Sequence, residues 1–444
     1  MQQTRYHLRL ILAFISRFKA LLFIGVVIGV LVFVVFNVIL PIFISSNTEI
    51  IGITGRYHLD KLPNNILGLI GDGLTSVDEN GKVTPNLAES WDSDDEGKVW
   101  TFKLKDGIFW HDETPVTSET IQYNFEDVEI ERPDDHTLVF KLESAFAPFP
   151  SVVSTPTFKK GLLGTGDWQV KKLDLAGSYV QSLTLTNGDS KKIINFYPTE
   201  ERTKLAYKLG QIDIIEDLIN PTPFDEWNTV KLSRTTNKQR FVAIFFNTSV
   251  NGNGFLVGSD GKKIRQALSY AIDKHTFGER VISPISPLSW AYNPQVKDYE
   301  YDPDRAKELL ADLPDEVKEN FEVQLTTSPT LLDIAEKVSE YWKAVGVNTV
   351  VHVVSVVPQD FEAFLAIYEI PIDPDQYVTW HSTQVETNIS RYENPRIDKL
   401  LEDGRLELDQ ESRKKIYLDF QRFLLEDAPA IFLYHPISYQ VERK

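Results

Sequence analysis

Hydrophobic and polar residues alternate most clearly in the heptapeptide VWTFKLK. Its even-numbered positions are apolar, namely Trp100, Phe102 and Leu104, and the positions between them are polar or charged. A period of two residues is typical of a strand that is buried on one face only. Asp106 and Gly107 predict a turn directly after this strand, so the pattern predicts one edge of a small sheet.

A capped helix is predicted shortly after this turn. Ser118 follows a Pro-Val-Thr sequence and has a hydroxyl that can accept a hydrogen bond from the first helical turn. The helix would carry Ile121, Tyr123 and Phe125. The stretch therefore predicts a unit of strand, turn, strand and helix.

The C-terminal half shows a different pattern. The segment VAIFFNTS is almost continuously apolar, which predicts a strand buried on both faces. Residues 262–277 have apolar side chains at helical spacing, and Asp302 with Pro303 predicts the start of another helix. Strand, helix and strand follow within residues 321–357, which favours a parallel pair. The segment APAIFLYHPISYQV predicts an apolar terminal strand.

A 25-residue apolar run covers residues 20–44 and is interrupted only by Asn37 and Pro41. At ~1.5 Å per residue it is long enough to cross a hydrocarbon layer of ~30 Å. Arg5, Arg9, Arg17 and Lys19 precede the run, so the positive-inside rule places residues 1–19 in the cytoplasm and the body outside. We therefore expect a single-pass membrane anchor, with a cleaved signal peptide as the alternative.

Length and composition indicate a globular, multi-lobed body. At ~100–200 residues per domain, 444 residues suggest two or three lobes after the anchor is set aside. The chain is 42% hydrophobic and 11% aromatic, which argues against disorder. It contains no cysteine, which excludes disulfides, thiol nucleophiles and a lipid-bearing N-terminal cysteine. The net charge of −18 repels nucleic acid, so a nucleic-acid partner is not expected.

No pattern of catalytic or metal-ligating residues stands out. The sequence has no H-E-x-x-H or G-x-S-x-G motif, and its eight histidines occur singly. The acidic stretch at Asp92, Asp94 and Glu96 resembles the start of a calcium loop, but Lys103 occupies the position that needs a bidentate glutamate. We expect neither an enzyme nor a bound metal or cofactor.

The segment IYEIPIDPDQYVTWHSTQ, residues 367–384, is the best candidate for ligand binding. It combines aromatic rings, carboxylates, an imidazole and amide or hydroxyl donors, the mixture that a small-molecule cleft uses. The candidate residues are Tyr368, Glu369, Asp373, Asp375, Tyr377, Trp380, His381, Thr383 and Gln384. The alternative interpretation is a surface loop with a buried tryptophan, because aromatic residues pack in cores more often than they line sites.

Four ordered motifs resemble one known family. PNLAESW with GKVWTFKLKDGIFWHDETPVTSETI, LAYKLGQIDIIED, KIRQALSYAIDKHTF and YDPDRAKELLADL are similar to signatures of the bacterial extracellular solute-binding proteins of family five, the dipeptide and oligopeptide receptors of ABC importers. In the second motif, Leu205, Leu209 and Ile212 would pack inward. The resemblance covers about residues 49–439.

This resemblance implies an α/β fold of the periplasmic binding protein type II class, with a three-lobed ectodomain after one N-terminal transmembrane helix. The implied lobes are residues 49–75 with 158–236 and 434–444, residues 76–157, and residues 237–433. The implied function is capture of a peptide or similar small solute and its delivery to an ABC permease. The alternative is an anchored sensory or scaffold module that keeps the fold without transport.

The resemblance also raises a question about the ligand. In the peptide receptors an aspartate three residues before an acidic-Pro dipeptide pairs with the α-amino group of the ligand. Counting back from Asp373, that position is Ile370 here. An apolar side chain cannot compensate a buried ammonium group. Either Glu369, Asp373 or Asp375 binds the amine, or the ligand has no free amine at this point.

Overall fold

The computed structural model describes residues 18, 25, 29, 47–249, 254–315, 321–356 and 358–444. The predicted anchor, residues 20–44, lies outside the described residues except for Gly25 and Gly29. Among the residues that are described, no helix has the length and apolar character needed to span a bilayer.

Strands dominate the described residues. In chain order they are β1 Asn47–Thr54, β2 Thr75–Val77, β3 Val83–Pro85, β4 Ala88–Asp94, β5 Val99–Leu104, β6 Val128–Asp134, β7 Thr137–Leu142, β8 Gln169–Ala176, β9 Tyr179–Asn187, β10 Ser190–Tyr197, β11 Ile214–Leu218, β12 Val230–Thr236, β13 Arg240–Phe246, β14 Glu322–Thr327, β15 Asn348–Val353, β16 Ala363–Glu369, β17 Ala430–Tyr434 and β18 Ile437–Arg443.

Helices flank these strands. They are α1 Asn64–Ile70, α2 Phe149–Val152, α3 Glu200–Lys208, α4 Gly258–Tyr270, α5 Pro303–Ala311, α6 Leu332–Ala344, α7 Tyr377–Trp380, α8 Pro395–Leu406 and α9 Gln410–Asp427. Asp302 caps α5 by accepting a hydrogen bond from the Arg305 N–H, and Pro303 occupies its first turn, as predicted.

A seven-stranded sheet has the order β12-β18-β11-β1-β10-β9-β8. Strand β1 is central and pairs in parallel with both β10 and β11, whereas the outer pairs are antiparallel. Because β1 and β11 run in the same direction, their carboxyl ends reach the same edge of the sheet. Residues that follow them are therefore brought together there.

A second, antiparallel sheet has the order β4-β5-β7-β6. Trp100, Phe102 and Leu104 on β5 are all at most 5% exposed, which confirms the predicted alternation. Gly107 follows with a positive φ of 75°, so the predicted turn is also confirmed. A short pair, β2 with β3, lies next to this sheet in the chain.

The prediction of a helix after Ser118 is wrong. Residues 118–120 form a turn, and the Ser118 hydroxyl donates to the carbonyl of Asp134 instead of capping a helix. Tyr123 and Phe125 stack on each other, with ring centroids 5.5 Å apart, and both rings approach Phe140 on the sheet. Burial of these rings against the sheet outweighs the weak local preference for a helix.

A five-stranded sheet has the order β15-β14-β16-β13-β17. Strand β14 pairs in parallel with β15, as predicted, and also with β16. Residues 241–246 of β13 are 0% exposed, because α4 and α6 pack on one face of the sheet and α8 and α9 pack on the other. The continuous apolar run therefore correctly indicated a strand buried on both faces.

Three residues near α3 were predicted to pack inward, and the prediction is wrong for two of them. Ile212 is 0% exposed, but Leu205 is 54% exposed and Leu209 is 64% exposed. The face of α3 that packs on the sheet instead carries Ala206 and Tyr207. The Tyr207 ring fills the space against Phe224 and leaves the two leucines on the outer side.

The chain passes between the seven-stranded and five-stranded sheets through two short connectors. Residues 237–239 join β12 to β13, and residues 435–436 join β17 to β18. The predicted terminal strand is thus two strands in different sheets. The Asn237 N–H donates to the Pro436 carbonyl at 2.9 Å, and His435 Nδ1 lies 2.7 Å from the Arg240 carbonyl. These bonds hold the two connectors side by side.

Candidate functional site

The segment predicted to bind ligand begins at the end of β16 and passes close to the connectors. The Ile370 N–H donates to the Gln239 carbonyl at 2.7 Å, so this residue is held against the first connector. Its side chain is 5% exposed and belongs to the apolar core beneath α8 and α9. The position that the resemblance equates with the amine-binding aspartate is therefore filled by a core residue.

Asp373 is bound by a buried arginine. The Arg413 guanidinium donates two hydrogen bonds to its carboxylate, at 2.8 and 2.5 Å, and the Arg413 side chain is only 7% exposed. Burial by itself would lower the pKa of Arg413, but the charge of Asp373 and the contact with Tyr417 raise it overall. Asp373 is thus already neutralised by a partner from α9.

Asp375 is held in a similar way by Arg405 from α8, whose Nε donates to the carboxylate at 2.9 Å. The same guanidinium lies 3.8 Å from the centroid of the Tyr377 ring, and that ring stacks on His381 with centroids 4.0 Å apart. Thr383 Oγ1 lies 2.8 Å from His381 Nδ1. These residues form one continuous chain of contacts between α8 and the segment that follows α7.

Gln384 and Tyr368 lie at the two ends of this arrangement. The Gln384 side-chain amide donates to Thr383 Oγ1 at 3.4 Å. The Tyr368 hydroxyl is 2.5 Å from Thr379 Oγ1, and its ring stacks on Phe241. Burial raises the pKa of the Tyr368 hydroxyl. Both residues therefore support the segment through contacts within it or below it.

Trp380 does not line a cleft, contrary to the prediction. It is 1% exposed and packs between Phe245 and Phe432 in the core. Within the described chain, its indole N–H and both amide atoms of Gln376 have no hydrogen-bond partner. The alternative interpretation, a buried tryptophan beneath a surface loop, is the one that the structure shows at this position.

Glu369 lies at the edge of β16, directly opposite Arg240 on β13. Arg240 donates to Asp217 at 2.8 Å, and Asp217 lies near the C-terminal end of β11 in the seven-stranded sheet. Burial is the main cause that raises the pKa of Tyr57, with the charge of Asp217 second. We call Tyr57, Asp217, Arg240 and Glu369 the carboxylate cluster.

This cluster spans the gap between the seven-stranded and five-stranded sheets. Glu369 is exposed and forms no ion pair with any described residue, whereas Arg240 is already paired with Asp217. The cluster therefore contains two carboxylates for one guanidinium. Such an arrangement favours a cation at this point. Sequence reasoning identified Glu369 alone, because the other members come from segments that only the fold brings close.

A cavity of about 460 Å³ lies near the far end of the same segment. Its volume falls in the range of small-molecule sites, roughly 300–1,000 Å³. The β2–β3 turn and the four-stranded sheet form one side, and residues around α9 form the other. Its walls include Trp91, Trp290, Pro148 and Leu408, and the Asp373–Arg413 pair lies in its lining.

Two backbone hydrogen bonds cross between the sides of this cavity. The Trp290 N–H donates to the Asn80 carbonyl at 3.2 Å, and the Ala147 N–H donates to the Arg405 carbonyl at 2.7 Å. Glu369 and Asp373 are four residues apart, which is at most ~14 Å of chain. The carboxylate cluster and the cavity therefore lie at the two ends of one short loop segment.

Comparison with known proteins identifies the family. The model of the bacterial extracellular solute-binding proteins, family 5 middle region, matches residues 82–388. The chain belongs to this family. Its members are solute-binding proteins and not enzymes, which is consistent with the expectation from the sequence. Within the described residues there is also no group of three or more potential metal ligands.

Individual relatives of this solute-binding protein are distant but match over most of their length. The oligopeptide-binding protein AppA of Bacillus subtilis (strain 168) is 25% identical over 469 residues, which cover 86% of this chain and 84% of AppA. The di/tripeptide-binding protein 1 of Pseudomonas aeruginosa (strain UCBPP-PA14) is 25% identical over 462 residues, 84% of each chain.

Solved structures show the same fold. NikZ from Campylobacter jejuni, in complex with Ni(L-His), superposes with a TM-score of 0.73 at 22% identity and covers 90% of this chain and 95% of NikZ. The Bacillus subtilis AppA structure, in complex with a nonapeptide, gives a TM-score of 0.67 at 22% identity, with 89% and 94% covered. The α/β periplasmic binding protein-like fold of the solute-binding protein is thus shared.

Proposed function

We propose that the chain is a membrane-anchored, extracytoplasmic protein that captures a peptide, or a similar small solute, between lobes and delivers it to an ABC permease. Residues 1–19 would be the cytoplasmic tail and residues 20–44 the anchor. The proposed lobes are residues 49–75 with 158–236 and 434–444 as lobe I, residues 76–157 as lobe II, and residues 237–433 as lobe III. Each of the three large sheets lies almost entirely within one of these lobes, which supports the division.

One observation carries this proposal. The 460 Å³ cavity lies between the four-stranded sheet region and the region of α8 and α9, and the carboxylate cluster lies between the seven-stranded and five-stranded sheets, which the chain joins through two short connectors. Lobes joined in this way can close around a ligand by rotation at the connectors, the hinge motion of periplasmic binding proteins. The names of relatives that bind oligopeptides and di- or tripeptides favour a peptide as the solute.

Within the site we assign direct ligand contact to Glu369, Tyr377, Thr383 and Gln384, which have exposed or half-exposed side chains. Asp373 and Asp375 would position the loop through their arginine partners. Tyr368, Trp380 and His381 would support it from below.

Glu369 is the proposed acceptor for the amino group of the ligand. Asp373 and Asp375 are bound by arginines, and Ile370 has no charge to offer. Leaving an ammonium group buried and unpaired costs several kcal/mol, so a peptide bound here needs one free carboxylate. Glu369 is adjacent to Ile370 in the chain and meets this need without any rearrangement of the two arginine pairs.

A second candidate function is an anchored sensory or scaffold module. The observation in its favour is the short distance between the proposed anchor and the fold, because only Ser45 and Ser46 separate residue 44 from β1. Such a body cannot move far from its point of attachment. Ligand binding with no change in uptake when the chain is deleted would support this second function.

A thermal-shift screen of peptide and sugar pools will identify a ligand, and calorimetry then tests the site. We expect the peptide to bind and its N-acetylated form to bind about tenfold to a hundredfold more weakly, because hydrogen bonds to charged groups are the stronger ones. Glu369→Gln should abolish this difference. Glu322→Gln, an exposed carboxylate at the start of β14, is the matched control. Equal affinity of wild type for both peptide forms would rule out amine recognition.

A further inference from the structure

Helix α8 contacts residues 367–384, which we call the ligand segment. Asp398 accepts two hydrogen bonds from Ser382, at 2.9 Å from the backbone N–H and at 2.7 Å from the hydroxyl. Arg405, two turns further along α8, donates from Nε to the Asp375 carboxylate at 2.9 Å. The stretch from Asp375 to Ser382 is therefore bound at both of its ends by one helix.

These contacts come from one face of α8. Asp398, Glu402 and Arg405 are spaced by four and then three residues, which places them in one row along the helix. Glu402 Oε1 lies 3.4 Å from His381 Nε2, a distance at which a protonated imidazole forms an ion pair, although the two groups are not aligned for a hydrogen bond. The opposite face of α8 is buried in the core through Ile397, Leu401 and Gly404. The helix is thus fixed by the core on one side and bound to the ligand segment on the other.

The Arg405 guanidinium lies over two aromatic rings from different parts of the chain. Its Cζ atom is 3.8 Å from the ring centroid of Tyr377, in the ligand segment, and 5.2 Å from the ring centroid of Phe146. Phe146 belongs to proposed lobe II, residues 76–157, and packs against the core of the four-stranded sheet. A guanidinium within about 6 Å of a ring centroid is attracted to the face of the ring. The same planar group therefore contacts the ligand segment and lobe II.

The backbone at the end of α8 also contacts lobe II. The Ala147 N–H donates to the Arg405 carbonyl at 2.7 Å. A Cβ on Gly97 would lie 3.2 Å from Leu408 Cδ2, so the turn between β4 and β5 approaches the residues that follow α8. The Phe146 N–H donates to the Gly97 carbonyl at 3.1 Å, which joins the two contact points within lobe II. Arg405 is thus the residue at which α8, the ligand segment and lobe II meet.

We propose that Arg405 is a positioning residue that couples ligand contact at Tyr377 to the contact between α8 and lobe II. The proposal rests on the ligand contact that the proposed function assigns to Tyr377. Both rings lie against one rigid guanidinium, so a shift of the Tyr377 ring changes the contact of that group with Phe146. A ligand packed on Tyr377 would fix the guanidinium and stabilise the contact with lobe II.

Coupling of this kind is reciprocal. If ligand binding stabilises the contact with lobe II, then loss of that contact weakens ligand binding by the same factor. A residue that only stabilises the fold changes the melting temperature without linking the two sites. The coupling therefore predicts that a substitution in lobe II, away from the ligand segment, changes the affinity for the ligand.

A double-mutant cycle between Phe146 and Arg405 tests this coupling in the full chain. The probe is the peptide that raises the melting temperature most in the thermal-shift screen. We expect Phe146→Leu to weaken its binding about fivefold or more in calorimetry, the lower end of typical coupling. In an Arg405→Gln background the same substitution should have no further effect, because the connecting group is absent. Phe109→Leu is the matched control, since Phe109 is in lobe II and is 56% exposed.

A second variant separates the ring contacts of Arg405 from its charge. Arg405→Lys keeps a cation beside Asp375 but loses the planar group that lies over the two rings. It should therefore abolish the effect of Phe146→Leu as Arg405→Gln does. Arg396→Gln is the control on the same helix, because Arg396 is at the other end of α8, with its Cζ 3.2 Å from the ring centroid of Phe423. This control should leave the peptide affinity unchanged.

Hydrogen exchange measures the coupling in the other direction. Saturating peptide should slow exchange of the Ala147 N–H in the wild type by about fivefold or more, because this amide donates to the Arg405 carbonyl. In Arg405→Gln the peptide should leave the exchange rate of Ala147 unchanged. The Phe146 N–H, which is bonded within lobe II, is the internal reference.

The outcomes separate this inference from the proposed function. If Phe146→Leu weakens peptide binding equally with and without Arg405, or not at all, the coupling is wrong and the proposed function stands. An Ala147 exchange rate that saturating peptide does not change in the wild type would overturn the coupling as well. If no peptide binds the wild-type chain, the proposed function is wrong and the coupling fails with it.

Discussion

The ion pair between Asp373 and Arg413 gives the proposed site its shape. It joins the ligand segment to α9 across 40 residues of sequence, and both side chains are at most 13% exposed. Breaking a buried pair by removing one partner typically costs about 3–5 kcal/mol, since the remaining charge is left uncompensated. We therefore propose that Asp373 acts by positioning the loop, because its charge is already paired with Arg413.

We predict that Arg413→Met and Asp373→Asn each lower the urea midpoint of unfolding strongly and weaken ligand binding. The double variant should be less destabilised than the two single variants added together, because it leaves no unpaired charge. Arg422→Met is the control, since Arg422 is on the same helix and its pair with Asp419 is about half exposed. Such a surface pair is worth at most about 1 kcal/mol. Strict additivity in the double variant would show that the two side chains do not depend on each other.

The sequence predicted a ligand segment but not the arginines that bind it. Ile367 to Gln384 could be selected because aromatic, acidic and amide residues occur close together in the chain. Arg413 and Arg405 could not be selected, because nothing in the sequence distinguishes them from other helical arginines until the fold brings α8 and α9 against the loop. Trp380 was misassigned for a related reason, since the sequence does not show which face of a one-turn helix is buried.

At the scale of elements, two glycines explain how the loop before β8 approaches α1. The Gly166 N–H donates to the Ile70 carbonyl at 2.9 Å, and a Cβ on Gly164 would lie 2.0 Å from the same oxygen. The G-T-G sequence thus allows close backbone contact with the end of a helix. Real Cβ atoms do not approach a carbonyl oxygen so closely, so the loop must move if either residue gains a side chain.

Gly164→Ala is therefore expected to destabilise the fold by about 1–3 kcal/mol, the usual cost of overpacking. The control is Gly68→Ala in α1 itself, where a Cβ meets no other atom within 4 Å. There the higher helix propensity of alanine should stabilise by about 0.5–1 kcal/mol. Thermal unfolding of the two variants beside the wild type measures both effects. Equal melting temperatures for the two variants would show that the close approach has no role in stability.

The prediction of an element succeeded where the local sequence alone determines it. The alternation in β5, the apolar run of β13 and the capped start of α5 all follow directly from local sequence. It failed where tertiary contacts decide. The aromatic side chains Tyr123 and Phe125 pack on the sheet instead of forming a helix, and Leu205 with Leu209 lie on the outer face of α3. A pattern of apolar positions cannot show which side of a short element meets the core.

For the whole molecule, the described conformation has the four-stranded sheet region and the α9 region in contact. The bonds from Trp290 to Asn80 and from Ala147 to Arg405 cross between them beside the cavity. Both are backbone hydrogen bonds, each worth only about 0.5–1.5 kcal/mol net. A ligand in the cavity would add contacts to the four-stranded sheet region and to the α9 region. Binding should therefore shift the population toward the conformation in which the two regions are in contact.

We predict that a bound ligand narrows the distance across the cavity. Lys82→Cys with Gln410→Cys places spin labels on opposite sides, because both residues are exposed and line the cavity. Without ligand, double electron–electron resonance should give a broad distribution that includes longer distances, since two weak hydrogen bonds do not hold the lobes firmly. With a saturating peptide from the thermal-shift screen, the distribution should sharpen at the shorter distance. Lys399→Cys with Gln410→Cys lies within one proposed lobe and should not change. Identical distributions with and without peptide would mean that the lobes do not close on the ligand.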